Sequence, residues 1–452
     1  MSAPVRPLRV AVVGAGPAGL YATDYLTFDG DGSVQVDLVE RLPVPFGLLR
    51  YGVAPDHLNI KAAGRTLMEV LERPGVRLFA NVEIGRDVTA EELRRRYDAV
   101  VYALGASDDR RIGIPGEDLP GSISATSFVN WYNGHPEADQ PDLAGATAVA
   151  VVGVGNVALD VARILLRDPE ELSPTDVPQD VLDGLRNSPI TDVHLLGRRG
   201  PQHAKFTTKE LRELGELAGV GIVIDDGQLP AEPPEGATPT ALKNLAVLTK
   251  WAAREPSTAR RRLHLHFGAR PVEVLGEDRV TGIRLERTSP EGAGTGETWR
   301  LPVHGVLRSV GYRSAGLPGV PFDASSCTIP TEDSRVVREG KAGPGEYVVG
   351  WIKHGPTGIL GTNRADAQDA VHSLQADMPG MLADQPDDPG GIASLLDERG
   401  VRYVGVAGWQ AVLGAEGEHG VPHGRGRVKI KDWEALLEAS EVGRLEPAET
   451  ED

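Results

Sequence analysis

The chain contains the same local pattern twice: an apolar run, a glycine-rich turn, then residues at helical spacing. Leu8-Arg9-Val10-Ala11-Val12-Val13 leads into Gly14-Ala15-Gly16-Pro17-Ala18-Gly19, and Ala18 to Leu26 keeps a helical rhythm. Ala146 to Val152 leads in the same way into Gly153-Val154-Gly155-Asn156-Val157-Ala158 and on to Leu166. A buried strand that turns sharply into a helix opens a βαβ unit, and such units build parallel sheets covered by helices on both faces. Two openings this far apart predict two separate α/β sheets in one chain. At 452 residues the chain also exceeds what one hydrophobic core serves, so two or three domains are expected.

The turns have a chemistry of their own. The first glycine of G-x-G-x-x-G permits the tight turn, the second lets backbone approach a pyrophosphate, and the third lets helix pack close to strand. The helix N-terminus behind them supplies unpaired N–H groups and a favourable dipole for phosphate. The two copies differ in the residue that ends the following strand. Val34 to Val39 ends in Glu40, whose carboxylate can accept hydrogen bonds from both hydroxyls of a ribose. Val193 to Leu196 ends in Gly197-Arg198-Arg199-Gly200, and paired guanidiniums bind a 2′-phosphate that a carboxylate would repel. The first turn therefore reads as a site for a dinucleotide with a free ribose diol and the second as a site for NADP. Two dinucleotide sites in one chain suggest hydride transfer between their cofactors.

Composition narrows the rest. The net charge of −18 argues against nonspecific binding to nucleic acid or to an anionic membrane. The single cysteine, Cys327, excludes internal disulfides, cysteine-held zinc or iron–sulfur sites, and a cysteine pair that takes electrons from a flavin. No apolar run reaches the ~20 residues of a membrane helix. About seven residues precede the first strand, too few for a targeting peptide, so a cytoplasmic location is expected.

Further along, Val76 to Phe79 and Ala99 to Leu104 read as buried strands. Pro230 to Pro239 reads as a surface loop, and Val280 to Arg287 with Thr298 to Val303 as a hairpin tipped by Ser289 to Gly296. Val306 to Val310 and Tyr347 to Val349 are further strands. A helix after Asn363 suggests a return to the first domain. Gln385 to Gly391 reads as a loop and Glu446 to Asp452 as a solvated acidic tail.

Longer stretches carry a resemblance. Pro45-Phe46-Gly47-Leu48-Leu49-Arg50-Tyr51-Gly52-Val53-Ala54-Pro55-Asp56-His57 is similar to the signature of ferredoxin–NADP reductases of the adrenodoxin-reductase type. So are Gly155 to Arg163, Gly197 to Pro201, Phe206 to Leu214 and Gly350-Trp351-Ile352-Lys353-His354-Gly355-Pro356-Thr357-Gly358, in family order up to about residue 370. The resemblance implies two Rossmann-like dinucleotide-binding domains, the NADP domain (residues 108–310) inserted into a discontinuous FAD domain (1–107 and 311–452). It implies an NADPH:ferredoxin oxidoreductase that takes a hydride onto FAD and passes single electrons to an iron–sulfur ferredoxin.

Position by position, the resemblance implies FAD contacts at Gly14, Gly16, Ala18, Gly19, Glu40, Leu48, Val82, Trp351 and Gly358 to Leu360, including Ile359. It implies NADP contacts at Gly155, Asn156, Val157, Ala158, Arg198, Arg199, Glu210 and Gly358. The polar pair near the reacting rings maps to His57 and Glu213, where a histidine that titrates near neutrality would be held by a carboxylate. An acidic ferredoxin needs a basic landing surface, and Arg254, Arg260, Arg261 and Arg262 form the stretch expected to supply it. A flavin subunit related to the glutamate synthase small chain is a second reading, although those chains carry N-terminal cysteine clusters absent here. A non-catalytic nucleotide sensor is a third, separated from both by whether NADPH reduces the bound flavin.

Overall fold

The structure, a computed structural model, describes residues 6–28, 30–106, 108–255, 257–356, 360–383 and 391–442. The expectations for Gly358, Ile359 and the acidic tail fall outside the described residues, as does nearly all of the 385–391 loop. The side chain of Leu360 also lies outside them. Two compact units are present, Met1–Asp108 with Tyr312–Asp452, and Asp109–Gly311.

The first unit opens with strands β1 (Leu8–Val13), β2 (Val34–Glu40), β3 (Val76–Ala80) and β4 (Ala99–Tyr102). The second contributes β5 (Ser122–Ser124), β6 (Ala148–Val152), β7 (Asp192–Gly197), β8 (Val220–Ile224), β9 (Arg261–Phe267), β10 (Ala269–Gly276), β11 (Val280–Thr288), β12 (Gly294–Leu301) and β13 (Gly305–Arg308). The chain then returns to the first unit with β14 (Thr331–Glu332), β15 (Arg335–Arg338) and β16 (Lys341–Val348). Five helices matter below: α1 (Pro17–Leu26), α2 (Asn156–Leu166), α3 (Thr208–Leu214), α4 (Leu360–Met381) and α5 (Val406–Gly420).

The sheet of the first unit runs β14-β15-β16-β4-β1-β2-β3, parallel from β16 to β3, with antiparallel pairing only at the β14–β15–β16 edge. The six-stranded sheet of the second unit runs β5-β13-β6-β7-β9-β8 and is parallel throughout; a separate antiparallel sheet, β10-β11-β12, belongs to the same unit. Val10, Val12, Val36, Leu38, Val149, Val151, Leu195 and Leu263 are almost wholly removed from solvent, as strands covered on both faces require. In each unit the chain leaves the fingerprint strand to one side and comes back on the other. β1 lies between β2 and β4, and β6 between β7 and β13, which is the switch point where open α/β sheets bind ligands at the strands' carboxyl ends.

Most expected elements stand within two residues of their sequence-read ends. The hairpin strand expected to start at Thr298 begins at Gly294 instead, because Thr288 pairs directly with Gly294 across a shorter tip. The strand read as Tyr347 to Val349 is the end of the longer β16. Strands β8 and β9 were not expected; Arg261-Arg262-Leu263-His264-Leu265-His266-Phe267 alternates in burial, but its polar positions are basic and read as surface. Among the described residues no helix is long and apolar enough to cross a membrane.

Candidate functional site

Both fingerprint turns are built by one set of contacts. After β1, the Gly14 N–H donates to Val39 O at 2.7 Å and the Ala103 N–H donates to Val13 O at 2.8 Å. After β6, Gly153 N–H donates to Leu196 O at 3.0 Å and Ser309 N–H to Val152 O at 2.8 Å. Gly14 (φ +111°) and Gly153 (φ +135°) both lie in the region that favours glycine. A Cβ on Gly14 would sit 2.6 Å from Ala103 O, and one on Gly153 would strike Ser309 O. The second glycines behave differently. Nothing lies within 4 Å of a Cβ placed on Gly16 or Gly155, so these positions face open space where a ligand could approach backbone. At the third position, a Cβ on Gly19 would strike Gly14 O, whereas the second unit accommodates Ala158 there with no exposure.

Helices α1 and α2 start from Gly16 and Gly155 with no side-chain cap, Pro17 taking the first position of α1. Helix α3 is capped by Thr207, which accepts Glu210 N–H, so the chain caps helices elsewhere. The two uncapped ends beside open glycines fit a pyrophosphate, whose oxygens would take the unpaired N–H groups.

Around the first turn, Glu40 Oε2 accepts Ala15 N–H at 2.9 Å and Oε1 accepts Leu42 N–H at 3.0 Å. Each carboxylate oxygen thus keeps acceptor capacity for a ribose hydroxyl. Burial pushes the Glu40 carboxyl up from its ordinary range, opposed by the Leu42 and Ala15 N–H groups and by Arg41. Buried Val82 donates its N–H to Glu40 O at 2.9 Å. The Leu48 turn is brought in by Phe46 N–H, which donates to Ala15 O at 2.8 Å, and Gly47 packs on Gly16. On the far side, Gly350 (φ +75°) has room for no Cβ because Ala18 lies there. Its N–H donates to Asp366 of α4 at 2.6 Å, and Asp366 also pairs with Lys353. Trp351, next in the chain, packs against Tyr312 with ring centroids 5.5 Å apart. The described FAD-assigned residues therefore converge on one end of the first sheet. His57 belongs to this unit, half-buried, starting the short helical turn Leu58–Lys61.

In the second unit, Asn156 Oδ1 accepts Thr207 N–H at 2.9 Å and Val154 O accepts Lys205 N–H at 2.9 Å, which ties the turn to the segment leading into α3. Arg198 is exposed and Arg199 half-buried at the end of β7, and among the described residues neither guanidinium has an ion-pair partner. Their backbone is anchored instead: Thr288 Oγ1 donates to Arg198 O at 2.7 Å and Gly200 N–H to Pro290 O at 2.8 Å. Two unpaired guanidiniums on a fixed backbone suit a phosphate. Glu210 and Glu213 of α3 face Arg163 of α2, a guanidinium with no exposed surface, at 3.6 and 3.9 Å, and Asp160 meets the same guanidinium at 2.8 Å. Glu213 also lies 3.8 Å from Lys209.

The four arginines expected to form a docking surface are not equivalent. Arg261 donates to Leu166 O and Arg167 O at 3.0 and 2.8 Å, closing the C-terminal end of α2, and so turns inward. Arg262 pairs with Asp192 at 2.9 Å. Arg254, over the Trp251 ring, and Arg260 are exposed. Sequence reading did not single out Arg163 or Glu416, whose burial depends on partners far along the chain.

Comparison with known proteins places these features in a lineage. Residues 8–200 match the family described as pyridine nucleotide-disulphide oxidoreductase. The chain is 45% identical to the NADPH-ferredoxin reductase FprA of Mycobacterium tuberculosis, over 96% of this chain and 99% of that protein. It is 39% identical to the mitochondrial NADPH:adrenodoxin oxidoreductase of Arabidopsis thaliana, over 97% and 96%. The solved structure of Mycobacterium tuberculosis FprA in complex with NADPH superposes with a TM-score of 0.90 at 44% identity, covering 96% of this chain and all of that one.

Proposed function

Because the chain belongs to the NADPH-ferredoxin reductase family, we propose that it is an FAD-dependent NADPH:ferredoxin oxidoreductase. The observation that carries this reading is the pairing of two like-built turns with unlike strand ends, Glu40 in one unit and Arg198 with Arg199 in the other. Bound there, FAD would supply the capacity to take a hydride from NADPH and to release electrons one at a time to a one-electron acceptor.

The protein's part is binding and orientation. Gly14, Gly16, Ala18 and Gly19 cradle the FAD pyrophosphate at the start of α1, and Glu40 takes the adenosine ribose. Leu48, Val82, Trp351 and the Gly358–Leu360 segment complete the flavin site. Gly155 to Ala158 receive the NADP pyrophosphate, Arg198 and Arg199 its 2′-phosphate, and Glu210 is assigned to the same nucleotide. Hydride transfer needs alignment more than acid or base, so the role proposed for His57 and Glu213 is to set the charge beside the reacting rings. Arg163, buried beside both acids of α3, keeps a positive charge within 3.9 Å of Glu213.

The acceptor is an iron–sulfur ferredoxin, and acidic partners of that kind land on basic surface. Arg254, Arg260 and Arg262 are the exposed members of the stretch assigned to this role, with Arg261 beneath them. A cytoplasmic location is proposed with it. The reading is tested by mixing purified, flavin-loaded protein with NADPH and ferredoxins from its own source. NADPH-dependent ferredoxin reduction is expected. Reduction of small dyes without any ferredoxin reduction would overturn the assigned acceptor.

A further inference from the structure

The turn from Phe46 to Gly52 is gripped from two sides. On one side it meets the glycine loop, through Phe46 N–H on Ala15 O and Gly47 on Gly16. On the other it meets helix α5 and the irregular segment around Lys429 and Ile430, hundreds of residues later in the sequence. Arg50 is 6% exposed and Glu416 not at all. The two terminal nitrogens of the Arg50 guanidinium reach the two carboxylate oxygens of Glu416, Nη1 to Oε2 at 3.2 Å and Nη2 to Oε1 more closely. Ile430 N–H donates to Glu416 Oε1 at 3.0 Å, which sets the carboxylate's plane. Lys429 Nζ donates to the Arg50 carbonyl at 2.9 Å. The guanidinium is flanked by the rings of Tyr51 and Trp409, at 5.1 and 5.2 Å, and Trp409 meets Phe46 edge-on at 5.8 Å.

This arrangement does more to direct than to stabilise. A buried ion pair often gains nothing over apolar residues of similar volume, because two charges leave water. Here Arg50 Nε is also buried without a hydrogen-bond partner among the described residues. What the pair does supply is geometry: two parallel hydrogen bonds fix the Arg50 plane, and the Lys429 bond fixes its carbonyl. The turn needs such support. Phe46 has φ +82°, a left-handed conformation that a phenylalanine holds only when its surroundings over-determine it.

We propose that Glu416 is a positioning residue for the flavin site: acting through Arg50, it holds the Phe46–Gly52 turn against the glycine loop and so sets how tightly the first unit grips FAD. The inference rests on the first unit being the flavin-binding one. Glu416 acts at a distance from the cofactor, and its contribution is to the shape of the site.

The test uses the full chain. Glu416→Gln keeps size and removes the charge. The double variant Arg50→Met/Glu416→Leu removes both charges together and, as apoprotein, is expected to keep the wild-type melting temperature. For each, FAD affinity is read from flavin fluorescence on dilution, the bound flavin's environment from visible circular dichroism, and NADP+ affinity serves as an internal control on the second unit. The expected result is FAD binding roughly tenfold weaker or more in both variants, the loss of one hydrogen-bonded charge pair. An altered flavin dichroism and unchanged NADP+ affinity accompany it. If the single variant fails to fold, the double variant decides. Wild-type FAD affinity and dichroism in a folded variant would overturn the proposal and leave the pair as packing. A wild-type protein that takes up no FAD at all would instead remove the flavin reading on which the proposal stands.

Discussion

The carboxylate of Glu40 accepts the Ala15 N–H at 2.9 Å, so the residue assigned to the ribose diol also braces the turn assigned to the pyrophosphate. Glu40→Gln keeps one acceptor oxygen but presents an NH2 group to the second backbone N–H. FAD affinity is expected to fall by roughly 10- to 100-fold, the range for hydrogen bonds to a charged group. NADP+ affinity stays as it was. Titration of the apoprotein with FAD measures the first, and titration with NADP+ the second.

Gly14 and Gly16 separate folding from binding. Gly14→Ala must hold φ +111° and place its Cβ 2.6 Å from Ala103 O, so it should lower the melting temperature even without cofactor. Gly16→Ala meets nothing within 4 Å and should melt like the wild type, yet bind FAD more weakly because its methyl group occupies the approach of the pyrophosphate. Thermal melts and FAD titrations of the two variants check this; equal melting losses would contradict it.

The turns were legible in the sequence because they are local. The glycines, the helix behind them and Glu40 at the strand's end are set by neighbours a few residues away or by the pleat of one strand. Arg261 shows where that stops. Its place in a basic run reads as surface, but β9 enters the sheet beside β7, and the side chain turns to the carbonyls that end α2. Strand pairing decided its direction, and no spacing within residues 254–262 encodes it. Arg50 and Glu416 are 366 positions apart, and only tertiary packing brings them together. Arg163 lay within a motif that was read, yet its burial against Glu210 and Glu213 depends on α3 docking beside α2.

The second unit also carries a pH dependence. His194 and His266 have their Nδ1 and Nε2 atoms 3.0 Å apart, and His194 stacks on His264 at 4.2 Å. Burial, then the neighbouring His264, pushes His194 down to about 3 and His266 down to about 4. Folded-state values below that of an unfolded histidine, about 6.5, mean that the unfolded chain binds more protons as pH falls. These histidines cost nothing above pH ~6.5, and their destabilising effect grows between that value and about 4. The melting temperature should therefore drop from pH 7 to pH 5, and by less in His194→Leu/His266→Leu. An equal drop in that variant would assign the acid sensitivity elsewhere.

If the exposed arginines form the proposed landing surface, their removal should split the two kinds of acceptor. Neutralising Arg254, Arg260 and Arg262 should raise the KM for ferredoxin and flatten its dependence on ionic strength, because exposed charges mainly steer encounter. Reduction of a small neutral dye should be unaffected. Steady-state assays over a range of salt concentrations separate the two, and an unchanged ferredoxin KM would move the landing surface to another face.

In the proposed division of labour one turn serves FAD while the other, through Arg198 and Arg199, serves NADP. Anaerobic stopped-flow bleaching of the bound flavin tests it most directly, with NADPH and NADH compared in the wild type and in Arg198→Ala/Arg199→Ala. Fast bleaching of the wild type by NADPH is expected. In the variant the apparent Kd for NADPH should weaken by roughly 10- to 100-fold or more, while that for NADH changes little, since only NADPH carries the 2′-phosphate. Equal losses for both nucleotides, or a flavin that stays oxidised in wild-type protein under saturating NADPH, would contradict it.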